Sequence, residues 1–141
     1  MKRARVAFLS AYFGMYDDVM PAGFREHQQA SAARSRAVLE TEFDVVDLGM
    51  IASEAEGIAA ARMLREEPVD AIVYAPTMVA PPAWPLHVMV ASAAPVVIWN
   101  ALQVLTLERD LDHPRATINT TQVGCLMLAN VLVRQRRWSH P

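Results

Sequence analysis

Two short, uninterrupted apolar runs constrain the fold of this chain most strongly: AIVYA at residues 71–75 and PVVIW at residues 95–99. Both runs are rich in β-branched and aromatic side chains, and neither alternates with polar residues. A strand without polar alternation is typical of a parallel sheet that helices cover on both faces. The residues between the runs include prolines at positions 81, 82 and 85, which are tolerated in the first turn of a helix. The whole stretch, with a crossover helix ending near residue 93, predicts a β-α-β unit of right-handed connection.

The first half of the chain shows the same alternation of strands and helices. We predict strands at residues 5–11 and 43–48, a helix at residues 24–40, and a turn at Gly49. The SEAE sequence that starts at Ser53 is a capping box, in which Ser and Glu side chains satisfy free N–H groups of a helix start. The buried stripe of that second helix is expected to consist of Ala55, Ile58, Ala59 and Met63.

After the β-α-β unit, residues 104–118 lack a clean period and predict a loop with room for one short turn of helix. A last helix is expected to begin with a capping pair at residues 119–122 and to run through Val123, Leu126, Met127, Asn130 and Val131. Four strands that alternate strictly with four helices predict an α/β fold. The expected architecture is a doubly wound, flavodoxin-like parallel sheet in the order 2-1-3-4, with helices on both faces.

The 141 residues predict a single domain, which we place at residues 1–137. The tail at residues 138–141, WSHP, stands where a fifth strand would begin, so we expect the sheet to be truncated before that strand. The same four residues also begin a common streptavidin-binding purification tag. The tail is therefore either the start of further native chain or a tag remnant, and it is left out of the fold.

Composition and charge exclude several classes of partner. Thirteen basic and fifteen acidic residues give a net charge of −2, which offers no electrostatic basis for binding nucleic acid. The single Cys125 rules out an internal disulfide framework and fits a reducing compartment. The apolar run at residues 6–13 enters a turn rather than a cleavage site, and no run approaches the ~18 apolar residues of a membrane span. We expect a cytoplasmic protein without a nucleic-acid or membrane partner.

Most α/β site motifs are missing from the sequence. No G-x-G-x-x-G or P-loop pattern follows a strand, and Ala75 stands where a phospho-receiver domain would need an aspartate. The four histidines are scattered, and none is paired at the spacing of metal ligands. Cys125 is interpreted as a core residue and His87 as a packing residue with its polar atoms satisfied.

Neutral polar side chains follow the strands, at the edge of the sheet where open α/β folds bind ligands. Aromatic and methionine side chains accompany them, and this combination suits an uncharged polyol or sugar better than a phosphate. An alternative of equal weight is that these residues only cap helices and satisfy strand ends. The predicted substrate-binding residues are Tyr12, Thr77, Met78, Asn100 and Gln103, with Ser10 beside them.

Residues 6–134 resemble the N-terminal domain of sugar isomerases of the L-fucose and L-arabinose isomerase type. The resemblance rests on DLG at residue 47, REEPVD at 65, IVYAPTM at 72, PVVIWNALQ at 95, and Gly124 followed by MLANVLVR at 127. The strand followed by an Asn-x-x-Gln element is similar to a stretch of that family with one residue fewer before the glutamine. The aromatic loop after the first strand and the triple-proline entry depart from the family pattern, which leaves the sugar open.

The resemblance implies a metal-dependent conversion of an aldose to a ketose, typically with manganese, through an ene-diol that the metal stabilises. It implies that the metal ligands lie in later domains, so this domain is expected to bind no metal, to carry no catalytic residue, and to be inactive alone. Sugar contacts and homo-oligomer contacts are the roles that it implies for the chain. A non-catalytic sugar-binding or assembly module and a small stand-alone flavodoxin-like enzyme remain the alternatives.

Overall fold

A four-stranded, all-parallel sheet in the order β2-β1-β3-β4 forms the centre of the computed structural model, which describes residues 2–106 and 109–135. The strands are β1 Arg5–Ala11, β2 Asp44–Ile51, β3 Ala71–Tyr74 and β4 Val96–Ile98. The helices are α1 Phe24–Glu40, α2 Glu54–Glu66, α3 Ala83–Met89, α4 His113–Ile118 and α5 Thr121–Arg134, with a 3-10 helix at Gly14–Asp18. The predicted flavodoxin-like α/β fold and its strand order are confirmed.

Helices cover both faces of the sheet, as the uninterrupted apolar strands require. On one face, Ala7 and Leu9 of β1 belong to a buried cluster with residues of α2, α3 and α5. On the other face, Val6 and Phe8 pack with Leu39 of α1. Strand β4 is an edge strand, and its central residue Val97 is 50% exposed. The expected fifth strand stays a prediction, and the predicted tail at residues 138–141 lies outside the described residues.

The turn predicted at Gly49 is not present, because β2 continues through this residue. It lies inside the strand at a φ of 82°, where the register between β1 and β2 shifts. Its N–H is bonded to the Asp47 carboxylate at 2.9 Å. A positive φ is open to glycine without steric cost, and an extra residue in a strand makes a bulge. The bulge lets β2 continue to Ile51, three residues beyond the predicted end.

The buried stripe predicted for α2 was wrong. Ile58 and Met63 are 37% and 50% exposed, and Ala55 and Ala59 are exposed too. The helix instead buries Gly57, Ala60, Ala61 and Leu64, because small side chains let it approach α3 closely. A Cβ atom on Gly57 would lie 2.3 Å from the Trp84 carbonyl oxygen. The predicted capping box is present in altered form. The Ser53 hydroxyl accepts a hydrogen bond from the Glu56 N–H at 3.3 Å, as expected. The Glu56 carboxylate accepts from the N–H of Ala52 rather than from that of Ser53.

The C-terminal third also differs from the prediction. Helix α3 ends at Met89 rather than near residue 93. Helix α4 lies within the predicted loop, and the Asp112 carboxylate caps its start by accepting a hydrogen bond from the Arg115 N–H at 2.8 Å. The predicted capping pair does not begin α5: the Thr120 hydroxyl accepts from the Val79 N–H instead. Val123, Leu126, Met127 and Asn130 are exposed and Val131 is half-buried. Helix α5 buries Thr121, Gly124, Cys125, Leu128 and Leu132 instead.

The segment His113–Arg134, which comprises α4 and α5, is long and apolar enough to cross a membrane by length and composition. The mean hydropathy of its most apolar window is 1.3, and 33% of that window is buried within the fold. Core helices of soluble proteins meet the same criterion, so one such segment is weak evidence. The expectation that the chain has no membrane partner stays a prediction.

The close approach of α2 and α3 predicts a clear effect of Gly57→Ala. Helix propensity alone would make this substitution stabilising by about 1 kcal/mol. The added methyl group would meet the Trp84 carbonyl oxygen, so we expect the free energy of unfolding to fall by about 1–3 kcal/mol. Urea denaturation followed by circular dichroism measures the change. Ala59→Leu on the exposed side of α2 is the control, and a Gly57→Ala protein as stable as the parent would contradict this packing.

Candidate functional site

The segments that follow β1, β3 and β4 are tied together at the carboxyl edge of the sheet. The Thr77 N–H and the Thr77 hydroxyl both donate to the Ala11 carbonyl oxygen, at 3.1 and 3.0 Å. The Ser10 hydroxyl donates to the Ala75 carbonyl oxygen at 2.7 Å, and the Trp99 N–H donates to that of Tyr74 at 2.8 Å. The backbone at this edge is therefore held in one arrangement by short cross-strand bonds.

Three of the five predicted contact residues are buried beneath this edge. Tyr12 and Met78 are 0% exposed and belong to one apolar cluster with Phe24 and Ile118, while Thr77 is 3% exposed. The Tyr12 hydroxyl donates to the Asp17 carboxylate at 2.8 Å. Burial is the largest cause, and this hydrogen bond is the second, that raises the pKa of Tyr12 well above its ordinary value. The phenol therefore stays protonated. These three side chains are therefore core residues that pack beneath the strand ends.

A depression beside Tyr12 is lined by the 3-10 helix and the start of α1 and has a volume of about 490 Å³. Its charged side chains are Asp17, Arg25 and Glu26, and the Arg25 guanidinium lies 2.5 Å from the Asp17 carboxylate and 4.0 Å from that of Glu56. The same guanidinium lies over the Tyr12 ring at 5.4 Å from its centroid. The one basic group of this lining is thus already paired, which leaves an anionic ligand little to bind.

The other two predicted residues, Asn100 and Gln103, line a groove of about 450 Å³ between α1 and the segment after β4. Asn100 is exposed, and the Trp99 ring lies in the wall of the groove. The opposite wall comes from one face of α1 and contains Ser31, Arg34 and Ser35. The groove combines an aromatic surface with amide and hydroxyl groups, a pattern found in small-molecule sites.

A buried hydrogen-bond network lies at the inner end of this groove. The Gln103 Nε2 atom donates to the Thr77 carbonyl oxygen at 2.6 Å and to the Gln28 Oε1 atom at 2.9 Å. Gln28 is 0% exposed, although it is a polar residue of α1. The structure thus brings Thr77 and Gln103 into direct contact, and Gln103 connects its own segment after β4 with α1 and with the segment after β3.

Sequence reasoning missed Gln28. Phe24, Gln28 and Ala32 are four residues apart, and all three are buried, so they share one face of α1. A glutamine on the face that also carries phenylalanine and alanine was the signal that could have revealed it. Its partner Gln103 is 75 residues away in the sequence, and the pairing follows only from the tertiary fold.

The described residues do not fit a manganese site. Within residues 2–106 and 109–135, no three His, Cys, Asp or Glu side chains converge to hold a metal ion. The Nε2 atom of His87 lies 3.2 Å from the Glu54 carboxylate, and Asp112 caps α4. Cys125 is buried, as interpreted from the sequence, and burial raises the pKa of its thiol to about 11. A thiol with that pKa is a poor nucleophile at neutral pH.

Comparison of the chain with protein-family models and with curated proteins found no match.

The network distinguishes Gln103 from Asn100, although both were predicted from the sequence as substrate-binding residues. Gln103→Ala would leave the Gln28 Oε1 atom without its donor, so we expect a loss of about 1–3 kcal/mol in the free energy of unfolding. Asn100→Ala, at an exposed position, should change it by less than about 0.5 kcal/mol. Chemical denaturation of both proteins measures the difference. Equal stability of the two variants would mean that the buried amide bond contributes nothing.

Proposed function

We propose that this chain is an α/β domain of a metal-dependent aldose–ketose isomerase. In this role it supplies groups that contact the sugar and surfaces that contact other copies, while the metal site lies in other domains. The resemblance over residues 6–134 supports the assignment to this type of enzyme, and the flavodoxin-like sheet is compatible with it. The partly exposed edge strand β4 offers a surface for contacts between copies.

The observation that carries the proposal is the composition of the groove between α1 and the segment after β4. Asn100 and Gln103 each carry an amide that can both donate and accept hydrogen bonds, and Ser31 and Ser35 add hydroxyl groups. Such groups match the alternating hydroxyls of an uncharged sugar. The Trp99 ring can cover the apolar C–H face of the same molecule.

No catalytic step is assigned to this chain. Aldose–ketose isomerisation needs a base beside the substrate and a group that holds the charge of the ene-diolate. The charged group that lines the groove is the Arg34 guanidinium, which has N–H donors and no acceptor atom, so it cannot serve as the base. The groove therefore contributes binding and orientation, which lower the barrier by holding the sugar in place.

Sugar binding to the groove is the direct test. We expect L-arabinose, L-fucose or their ketoses to bind the 141-residue chain, and Asn100→Ala to weaken binding about five- to tenfold through one lost hydrogen bond. Ligand-observed NMR on the parent and variant proteins measures this affinity. Asn130→Ala, at an exposed asparagine of α5, is the matched control and should bind as the parent does.

Three results would contradict the proposal or part of it. Absence of binding for all four sugars would remove the groove as a sugar site. Tight one-to-one binding of manganese, together with turnover of an aldose by the isolated chain, would place the chemistry in this domain. Sugar binding without any isomerase activity in the native full-length protein would favour the non-catalytic module.

A further inference from the structure

The Gln28 and Gln103 side chains form a buried amide pair whose orientation is fixed by the backbone. A carbonyl oxygen only accepts, so Gln103 must present its Nε2 atom to the Thr77 carbonyl oxygen. The same Nε2 atom faces Gln28, which must therefore present its Oε1 atom. Turning either amide around would place two donors or two acceptors against each other. The assignment of oxygen and nitrogen in both amides follows from this chain of contacts.

This fixed arrangement leaves one donor and one acceptor unmatched. The Gln28 Nε2 atom and the Gln103 Oε1 atom are both buried, and neither has a hydrogen-bond partner among the described residues. Buried polar groups in folded proteins are nearly always paired, and an unpaired one is costly. The two unmatched atoms belong to two amides that are joined by a hydrogen bond of 2.9 Å.

We propose that Gln28 and Gln103 together bind one hydroxyl group of an uncharged polyhydroxy compound that enters from the groove. A hydroxyl can accept from the Gln28 amide and donate to the Gln103 carbonyl oxygen at the same time. A carboxylate or phosphate only accepts, and an ammonium group only donates, so either would leave one of the two atoms unmatched. This inference rests on the proposed function and adds Gln28 as a specificity-determining residue.

The ligand approaches the pair from the groove that Gln103 lines, whereas Gln28 is 0% exposed. The Gln103 Nε2 atom keeps its bonds to the Thr77 carbonyl oxygen and to the Gln28 Oε1 atom. The hydroxyl supplies the missing acceptor for Gln28 Nε2 and the missing donor for Gln103 Oε1. The ligand therefore binds a state in which the groove opens to Gln28, and its better interaction with that state shifts the population toward it.

The test is a titration of the 15N-labelled 141-residue chain with L-arabinitol, observed through the side-chain amide signals of Asn and Gln. We expect the signals of Gln28, Gln103 and Asn100 to shift together along one binding curve. Gln28→Met keeps the length of the side chain and removes both amide atoms, so it should weaken binding about tenfold. Gln29→Met changes the next residue of α1, which is exposed, and should leave binding unchanged. Circular dichroism establishes that each variant is folded.

The outcomes separate this inference from the proposed function. Shifts of Asn100 without shifts of Gln28, or unchanged binding by Gln28→Met, would overturn the role of Gln28 and leave the groove as a sugar site. A long-lived water contact to the Gln28 amide that L-arabinitol does not displace would overturn it as well. A titration that moves none of the three signals would overturn both proposals. If Gln28→Met does not fold, the shifts in the parent protein alone decide.

Discussion

The hydrogen bond from the Gln103 side chain to the Thr77 carbonyl oxygen is the interaction on which the candidate site depends. It joins the segment after β4 to the segment after β3 at 2.6 Å, and the bond to Gln28 adds α1 to the same network. Because Thr77 is itself bonded to the end of β1, three strand ends and one helix are held in one arrangement. The groove has its shape because these parts cannot move independently.

Close helix packing supports this arrangement from the opposite face of the sheet. Gly57 brings α2 against the backbone of α3, and a Cβ atom on Gly124 would lie 2.8 Å from the Met78 carbonyl oxygen. Helix α5 therefore packs closely against the segment that follows β3, next to Thr77. Since protein interiors are packed as densely as crystals, a shift of α5 would be transmitted to the backbone that fixes Gln103.

The sheet could be predicted from the sequence because strands buried on both faces carry their own signal. The runs at β3 and β4 have no polar alternation, and the chain order of strands and helices then leaves few topologies. The buried faces of α2 and α5 could not be predicted in the same way. Both helices are apolar on more than one side, and large residues such as Ile58 and Leu126 look like core residues when hydrophobicity alone is considered. Close approach of the backbones decides the buried face instead, and it places the glycines Gly57 and Gly124 there beside leucines.

The candidate site was predictable only in part for a similar reason. Its location at the carboxyl edge follows from the fold class, and Asn100 and Gln103 line the groove there. Burial of Tyr12, Thr77 and Met78 depends on what packs above them, which a strand pattern does not reveal. The pairing of Gln28 with Gln103 required the tertiary structure.

A crystal structure of the chain with L-arabinitol would test the central claim most directly. The account predicts one ligand hydroxyl within about 3 Å of both the Gln28 Nε2 and the Gln103 Oε1 atoms. The remainder of the ligand should lie along Trp99 and Asn100 in the groove. A ligand in the depression beside Asp17 and Arg25, or a groove that stays empty at saturating L-arabinitol, would contradict it.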